Sequence, residues 1–534
     1  MSLNQNKLKV IRVIDPVIDL VKDREYGAID AGSEITYQQF NSNSSINSSN
    51  ITVVCNPPNM NTVIHPQVYI EAPITVTFSG NTGTSTGLFT ASYGITDAPR
   101  AFPLSQSMQS LNALWNGYSI NTNLSEYYSA FLRYNNEFLE QDREFSTCPS
   151  MLDQSQTYLE LLGSVRNPLN GYADNQMQSA RGAFPIVINS QSPTAANITF
   201  RTIEPLMLSP LYYSKTGISG ISTLTINMVL ANLNRVWSQM STSLMTITSV
   251  SIGLVSILFR YHSVKELDVI PKELTYPFHN VQQITADTSG SVAAGGVVDL
   301  TLNATNLQSI PQRIYICARK QTGQLTSQDP DVFAKINNIS VQWKNRSGLL
   351  ASARESNLYQ MSRIAGLNVS WDQWLQKTGA VLCLEPAKVI GFNDLFSVGS
   401  LDNPQFSIRV NFTNISSNAQ PMTLYAFVVY EGLFNVQYGQ CSTTITPLSK
   451  EDVLDAEVSR EERLARKATN WFGGDFVSDI GKFVKKVEPY VKTGLDIAKI
   501  VGGKRNARAL VKGRALLGGS TITRDQLLEN LVDD

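Results

Sequence analysis

Apolar and polar residues alternate along much of the first 445 residues of the chain. In the segment 224–230 (Leu-Thr-Ile-Asn-Met-Val-Leu) every second side chain is apolar, and the segment 406–412 (Phe-Ser-Ile-Arg-Val-Asn-Phe) has the same pattern. Successive side chains of a strand point to opposite faces, so a period of two is typical of half-buried β-strands. The many Asn, Ser, Thr, Val and Ile residues of this region also favour strands joined by long polar connections.

The chain carries an internal repeat, in which the same elements follow one another twice. The aligned pairs are 66–70 with 311–316, 111–115 with 339–343, 224–232 with 406–414, and Met245-Thr246 with Met422-Thr423. A helix-like stretch follows the second pair in both copies, at 125–134 and 352–364. Two copies of a strand-rich unit of this size fit two β-sandwiches, of which the jelly roll is the common eight-stranded form. We therefore predict an all-β fold of two tandem jelly-roll β-sandwiches, followed by a helical, basic C-terminal tail.

The distribution of charge sets the clearest boundary in the chain. Residues 446–534 contain 16 Lys and Arg and 14 Asp and Glu, whereas only 16% of the whole chain is charged. A change of composition of this size marks a separate segment. The predicted organisation is an N-terminal arm at 1–26, a first jelly roll at 27–265, a connector at 266–279, a second jelly roll at 280–445 and a charged helical tail at 446–534.

The tail contains a basic amphipathic arm. Apolar residues recur every three or four positions from Phe476 to Leu495, which is the spacing of one helix face. In the segment 482–514 ten basic residues stand against two acidic ones; the basic residues are Lys482, Lys485, Lys486, Lys492, Lys499, Lys504, Arg505, Arg508, Lys512 and Arg514. Such an arm can neutralise nucleic-acid phosphates, lie on an anionic membrane surface or pack on a neighbouring chain. The sequence leaves these three alternatives open.

The sequence offers little for catalysis or for a cofactor. Its three histidines are widely spaced, and its five cysteines form no Cys-x-x-Cys pair, so zinc and thiol redox sites lack their ligands. Residues 83–87 fit the Gly-x-Ser-x-Gly pattern, but a Gly, Ser and Thr loop surrounds them instead of a strand and a helix. Glu385 and Asp394 are the nearest carboxylate pair in the second unit, and only their proximity in sequence recommends them. We predict no enzymatic activity, no cofactor and no metal.

Export and membrane insertion are not indicated by the sequence. The first ten residues lack the apolar core of a signal peptide, and the longest strongly apolar run, 250–259, has about half the length of a membrane-spanning helix. We interpret that run as a buried strand. We expect the cysteines to be reduced and mostly buried, because a chain that stays inside a cell rarely keeps disulfides.

Eight short segments of the chain, in the order in which they occur, are shared with a known family. They are Cys55-Asn56-Pro57-Pro58, Arg100-Ala101-Phe102-Pro103, Arg235-Val236-Trp237-Ser238, Ser309-Ile310-Pro311, Pro330-Asp331-Val332-Phe333, Ile336-Asn337-Asn338 with Trp343, Asn357-Leu358-Tyr359, and Gly473-Gly474-Asp475-Phe476. In this order the chain resembles the double jelly-roll major capsid proteins of virophages and related polinton-like viruses. The resemblance covers nearly the whole chain and lies in the shared order, since no single segment is diagnostic.

The resemblance implies a structural protein of the virion that is assembled inside the host cell. Three chains would form a homotrimer whose six jelly rolls make a pseudo-hexameric capsomer, and these capsomers would tile the icosahedral shell of a small double-stranded DNA virus. The partners would be neighbouring capsomers, penton and minor capsid proteins, and packaged DNA or an internal membrane beneath the tail. Related capsid proteins are trimmed at their C-termini, which implies cleavage near Gly474, Gly503 or Gly519, each the second residue of a Gly-Gly pair.

Two other functions compete with this interpretation. A penton-type or minor capsid protein is the first, although that role usually needs a single jelly roll and the repeat supplies two. The second is a carbohydrate-binding or carbohydrate-active protein on tandem sandwiches, which requires a carboxylate pair or an aromatic platform in a cleft. We interpret Trp115 and Trp343, which occupy matching positions of the repeat, as core or subunit-contact residues and not as such platforms.

Overall fold

The computed structural model describes most of the first 445 residues. The described residues are 33–42, 50–80, 97–100, 102–134, 186–191, 195–214, 217–239, 245–264, 273–329, 332–367, 369–377, 379–386, 404–416 and 418–445. Their elements are mainly antiparallel strands, arranged as two β-sandwiches that follow one another along the chain. Each alternating segment buries one face between the layers of its sandwich, which is why the sequence pattern has a period of two.

The first sandwich lies between residues 33 and 264. Its strands are β1 (Ser33–Asn41), β2 (Asn50–Val54), β3 (Thr62–Ile64), β4 (Tyr69–Gly80), β5 (Asp97–Pro99), β6 (Met108–Trp115), β7 (Tyr118–Thr122), β8 (Ile186–Gln191), β9 (Ala195–Pro205), β10 (Leu224–Leu230), β11 (Trp237–Gln239), β12 (Met245–Ile252) and β13 (Ser256–Val264). One layer has the order β1-β13-β4-β9-β8, with β12 also on β4 and β3 also on β13. The other layer has the order β2-β10-β6-β7, and β5 pairs separately with β11.

The second sandwich lies between residues 273 and 444. Its strands are β14 (Glu273–Val292), β15 (Val297–Asn306), β16 (Arg313–Arg319), β17 (Lys335–Trp343), β18 (Arg346–Leu349), β19 (Val381–Leu384), β20 (Gln405–Thr413), β21 (Gln420–Gln437) and β22 (Gln440–Thr444). One layer has the order β14-β21-β16-β19, with β22 also on β21. The other layer has the order β15-β20-β17-β18.

The strand order confirms the repeat predicted from the sequence. The layer β2-β10-β6-β7 and the layer β15-β20-β17-β18 correspond strand by strand. Their registers agree as well, because Trp115 pairs with Leu224 in the same way as Trp343 pairs with Phe406. Both indole rings are buried in the sandwich cores. The predicted all-β double jelly roll is therefore correct, and so is the interpretation of the two tryptophans as core residues.

Among the described residues, two α-helices occupy matching places in the two copies, and a third precedes β6 in the first copy. They are α1 (Pro103–Ser107), α2 (Leu124–Phe131) and α3 (Glu355–Ile364), and a π-helical turn spans Gln373–Lys377. α2 follows β7 and α3 follows β18, and they overlap the stretches 125–134 and 352–364 that were predicted to be helical. In the described part of the chain, no helix is long and apolar enough to cross a membrane.

The described cysteines are free thiols, as expected from the sequence. Cys55, Cys317 and Cys383 are buried, and Cys441 is half-buried. Burial raises the pKa of Cys55 and that of Cys317 to about 12. Because the thiolate is the reactive form, these buried side chains behave as small apolar residues at neutral pH.

Two details differ from the sequence interpretation. Residues 273–279, assigned to the connector, form the start of β14 and pair with residues 431–437 of β21. The apolar run 250–259 is divided between β12 and β13, because Gly253 approaches Pro73 so closely that a Cβ would lie 2.6 Å from its ring. Both parts of the run still pair with β4. The exact limits of the domains stay predictions.

His279 makes the stability of the second sandwich depend on pH. It lies in β14 opposite Glu431, and burial followed by the positive charge of Arg313 lowers its pKa to about 4. The unfolded chain therefore takes up a proton at this residue near pH 6.5, well before the folded chain does. As the pH falls from about 6.5 to about 4, we expect this one residue to cost up to about 3 kcal/mol of folding free energy.

Urea unfolding of the unmodified chain and of the His279→Gln variant, at pH 7.5 and at pH 4.5, measures this contribution. The variant should lose less unfolding free energy on acidification than the unmodified chain. An identical loss in the two chains would contradict the assignment.

Candidate functional site: the joint between the two jelly rolls

The connection between β16 and β17 leaves the second jelly roll and contacts the first. Asp329 shapes it, because its carboxylate accepts hydrogen bonds from the N–H and the hydroxyl of Thr326, both at 2.8 Å, and from Lys320 at 2.9 Å. Burial alone would raise the pKa of Asp329, but these donors outweigh burial and lower it. The ionised carboxylate therefore holds the loop in one shape at neutral pH.

Two buried arginines of the first jelly roll donate to the carbonyl groups of this loop. Arg100 Nη2 donates to the carbonyls of Ser327 and Asp329, at 3.1 and 3.0 Å. Arg235 Nη1 donates to the carbonyl of Thr326 at 2.9 Å and also to that of Asp329. We call these two arginines and three carbonyl groups the arginine clasp. Both arginines are at most 2% exposed, so their charge is compatible with burial only while such acceptors are in place.

Two amide side chains extend the clasp. The backbone N–H of Gln239 donates to the carbonyl of Ser327 at 3.0 Å, and the Ser327 hydroxyl donates back to Gln239 Oε1 at 2.8 Å. Asn232 Nδ2 donates to the carbonyl of Leu325 at 2.8 Å. The loop is therefore bonded to the first jelly roll along most of its length.

A second set of arginines crosses the joint beside α2. Arg319 of β16 donates to the hydroxyl of Ser129 at 2.8 Å and to the carbonyl of Glu126 at 3.1 Å, and it forms an ion pair with the Glu126 carboxylate at 3.4 Å. The guanidinium groups of Arg133 and Arg319 lie 4.5 and 5.6 Å from the ring centre of Phe333. Cations over an aromatic ring are attracted by its negative face. Charged groups of both jelly rolls thus depend on partners in the other one.

The end of α2 also anchors the segment that enters β19. Arg133 Nη1 donates to the carbonyl of Gly379 at 2.7 Å, and the hydroxyl of Tyr134 donates to the carbonyl of Val381 at 2.5 Å. Gly379 has a φ of +75°, and a Cβ there would lie 1.7 Å from the carbonyl oxygen of Phe333. Glycine is therefore required at this close approach of two backbone segments.

Apolar contacts fill the space between these polar groups. Tyr127 of α2 packs against Tyr315 and Phe427, with ring centres 5.9 and 5.5 Å apart. At the other end of the joint, the rings of Trp115 and Phe434 lie 6.1 Å apart. Aromatic pairs at these separations combine area burial with favourable edge-to-face contact. In agreement, Asp30–Lys450 form a single unit that is not divided between the two sandwiches.

Most of the site residues predicted from the sequence lie outside the part of the chain that the structure describes. The ten basic residues of the arm and the three glycines of the Gly-Gly pairs lie outside the described residues, as do Asp394 and the loop 83–87. Glu385 forms an ion pair with Arg313 at 3.2 Å. The basic arm and the cleavage positions therefore stay predictions.

Two histidines that are distant in the sequence come together in the first jelly roll. The rings of His65 and His262 are stacked, with centres 5.4 Å apart. Burial, followed by the charge of Arg260, lowers the pKa of both. Within the described residues, no three His, Cys, Asp or Glu side chains are grouped so that they could hold a metal ion.

Sequence reasoning missed the joint, although it had selected the segments that build it. Arg100 and Arg235 belong to two of the segments that carried the family resemblance, 100–103 and 235–238, and both donate to the loop that directly precedes a third segment, 330–333. The signal that could have revealed the joint was an arginine in a segment expected to be buried, with no acidic residue beside it. Its partners are backbone carbonyl groups, which every sequence contains, so the pairing has no pattern of its own.

Two sequence families match the chain side by side. The family described as "Sputnik virophage major capsid protein 1st domain" matches residues 6–270, and "Major capsid protein V20 C-terminal domain" matches residues 281–432. Together they account for more than three quarters of the chain. The chain belongs to the family of virophage major capsid proteins.

Individual relatives agree with this assignment. The putative capsid protein V20 of Sputnik virophage is 27% identical, over 99% of this chain and 100% of that protein. A chain in the cryo-EM structure of the Sputnik virophage, also 27% identical, aligns with a TM-score of 0.71 over 86% of this chain and 98% of its own length. The crystal structure of the mavirus major capsid protein is 14% identical and aligns with a TM-score of 0.63 over 85% and 99%, which shows a shared fold.

As a virophage major capsid protein, the chain is a structural component of the virion that assembles into the capsid with itself. The predicted family and the predicted role of major capsid protein are therefore confirmed. Capsid assembly depends on contact surfaces and not on a catalytic centre. The joint belongs to that function because it joins two jelly rolls into one building block. The outer surfaces of that block then have fixed positions relative to each other.

Replacing Arg235 by alanine tests the clasp. The carbonyl of Thr326 would lose this buried donor, and we expect the unfolding free energy to fall by about 2 to 4 kcal/mol. Arg409→Ala is the matched control, because that side chain is 63% exposed and Asp299, its ion-pair partner, is 45% exposed. It should change the unfolding free energy by less than about 1 kcal/mol. Urea unfolding followed by circular dichroism measures both, and equal effects would exclude a special role of the clasp.

Proposed function

We propose that three copies of this capsid protein associate into a homotrimer, whose six jelly rolls form a pseudo-hexameric capsomer. The observation that supports this most is the repeated strand order in two sandwiches that are locked together by the joint. A chain with two similar modules presents similar surfaces twice. Three such chains supply six modules, which is the number that a near-sixfold ring needs.

The contact between the jelly rolls is of the head-to-tail type. The first jelly roll contributes α2 and Trp115 of β6, whereas the second contributes Tyr315 and Arg319 of β16 together with Phe427 and Phe434 of β21. Because the two surfaces differ, repetition of this contact between chains generates a ring if the rotation closes and a filament if it does not. We infer a closed ring of three chains, and such capsomers can tile an icosahedral shell of a small double-stranded DNA virus by repeated edge contacts.

We assign the tail to the inner face of that shell. The excess of eight positive charges over residues 482–514 supports contact with packaged double-stranded DNA, because clustered Lys and Arg neutralise phosphates without reading sequence. An internal membrane with anionic headgroups offers the same chemistry. Penton and minor capsid proteins complete the proposed set of partners, and assembly takes place inside the host cell.

Size-exclusion chromatography with light scattering tests the capsomer. The purified protein should have a mass of about three times the 58.9 kDa of the chain.

A chain that ends at Thr446 tests the role of the tail. It should stay trimeric, because the joint precedes that residue, while shell assembly or genome retention declines. A full-length chain with Lys504, Arg505 and Arg508 changed to Glu separates charge from length. A stable monomer would refute the capsomer, and trimer loss on truncation would place part of the trimer contact in the tail.

C-terminal trimming is tested by the intact mass of the protein from mature particles. We expect a chain that ends close to Gly474, Gly503 or Gly519, because small residues without side chains give a protease easy access to the backbone. The same chain expressed without other viral proteins should keep its full mass. A full-length mass in mature particles would exclude trimming.

A further inference from the structure

The helices α2 and α3 occupy equivalent places but have unequal surroundings. Residues 127–134, which include most of α2, are all buried at the joint. α3 instead buries Leu358 and Ser362 on one side and exposes Gln360 and Ile364 on the other. Gln360 and Ile364 are four positions apart and share one helix face, and Ile364 is 77% exposed. This exposed face of α3 lacks the cover that α2 receives.

The surface that receives α2 also has an equivalent in the first jelly roll. Tyr127 of α2 packs on Tyr315 and Phe427, which are paired across β16 and β21. Tyr315 aligns with Tyr69 in the internal repeat, and Tyr69 is paired with Leu258 across β4 and β13. Tyr315 and Phe427 are buried under α2, whereas Tyr69 and Leu258 are only half-buried.

The same outer face continues onto the edge strand β1. Tyr37 pairs with Arg260 and Ile35 pairs with His262. Arg260 and His262 lie two and four residues after Leu258 in β13. Paired residues, and residues two apart, project from the same face of a sheet. Tyr37 is 76% exposed and Ile35 is 46% exposed. We call Ile35, Tyr37, Tyr69 and Leu258 the β1 face, and exposed apolar side chains on an edge strand mark it as a contact surface.

We propose that the exposed face of α3 in one chain docks on the β1 face of a second copy of this chain. This proposal rests on the proposed trimer and names the surfaces that build it. A second copy is the occupant because the two surfaces are the equivalents of α2 and its receiving face, which already touch within each chain. Three copies joined in this way form a ring of six jelly rolls, in which every α2 or α3 helix is covered.

Charge substitutions on each surface test the docking. Ile364→Glu and Tyr37→Glu each place a carboxylate inside the contact, and we expect each trimer to dissociate at least about tenfold more readily. Native mass spectrometry over a dilution series measures this. Tyr438→Glu is the matched control, since Tyr438 is 72% exposed in the turn between β21 and β22, on neither surface, and it should stay trimeric. Circular dichroism and the melting temperature report whether each variant is folded.

Mixing the two variants tests the head-to-tail arrangement. In the mixture, α3 of the Tyr37→Glu chain and the β1 face of the Ile364→Glu chain are both unaltered. One undamaged contact can therefore form, but the ring cannot close. We expect dimers with one chain of each kind, which neither variant forms alone.

The outcomes distinguish an error in the proposed docking from an error in the proposed trimer. If the unmodified chain is trimeric and both folded variants stay trimeric on dilution, the docking is wrong and the trimer stands. If the unmodified chain is monomeric, the proposed trimer is wrong. Should a Glu variant fail to fold, Ile364→Ser and Tyr37→Ser replace it in the same dilution series, where unchanged dissociation would again overturn the docking.

Discussion

The structure depends on buried arginine side chains that are satisfied across the joint between the jelly rolls. Removing a guanidinium group from water costs far more than removing an apolar group, unless its donors find acceptors. Arg100 and Arg235 find them in a loop of the second jelly roll, and Arg319 finds them on α2 of the first. Either sandwich by itself would therefore lack hydrogen-bond acceptors for some of its arginine side chains. This mutual requirement agrees with the finding that Asp30–Lys450 form one compact unit.

The loop that receives the arginines is itself held by electrostatics. The Asp329 carboxylate collects donors from Thr326 and Lys320, and so the carbonyls of the loop become available to the first jelly roll. Gly379 allows two backbone segments to pass at a distance that excludes any side chain. The joint thus combines a preformed loop, a close backbone approach and charged side chains. These three features hold the two jelly rolls together only in combination.

The internal repeat turns this local chemistry into a plan for assembly. Both sandwiches have the same strand order, yet the first has a covered helix and an exposed sheet face, whereas the second has a covered sheet face and an exposed helix. In the docking that we propose, the helix left exposed in one copy meets the sheet face left exposed in the next. Duplication of one sandwich would account for the likeness between the contact within the chain and the proposed contact between chains.

The sequence alone determined the class of the fold, the duplication and the places of α2 and α3. These features are written locally, since alternation of apolar residues, the order of segments and helix-like stretches need no knowledge of distant contacts. The family could also be recognised from segments such as 100–103 and 330–333. The sequence did not reveal that Arg100 and Arg235 donate to carbonyls of residues 326–329, that residues 273–279 belong to β14 or that the run 250–259 is interrupted. Only the tertiary structure decided those points, because they depend on partners far away in the chain: β21 extends β14, Pro73 meets Gly253, and backbone carbonyls receive the arginines.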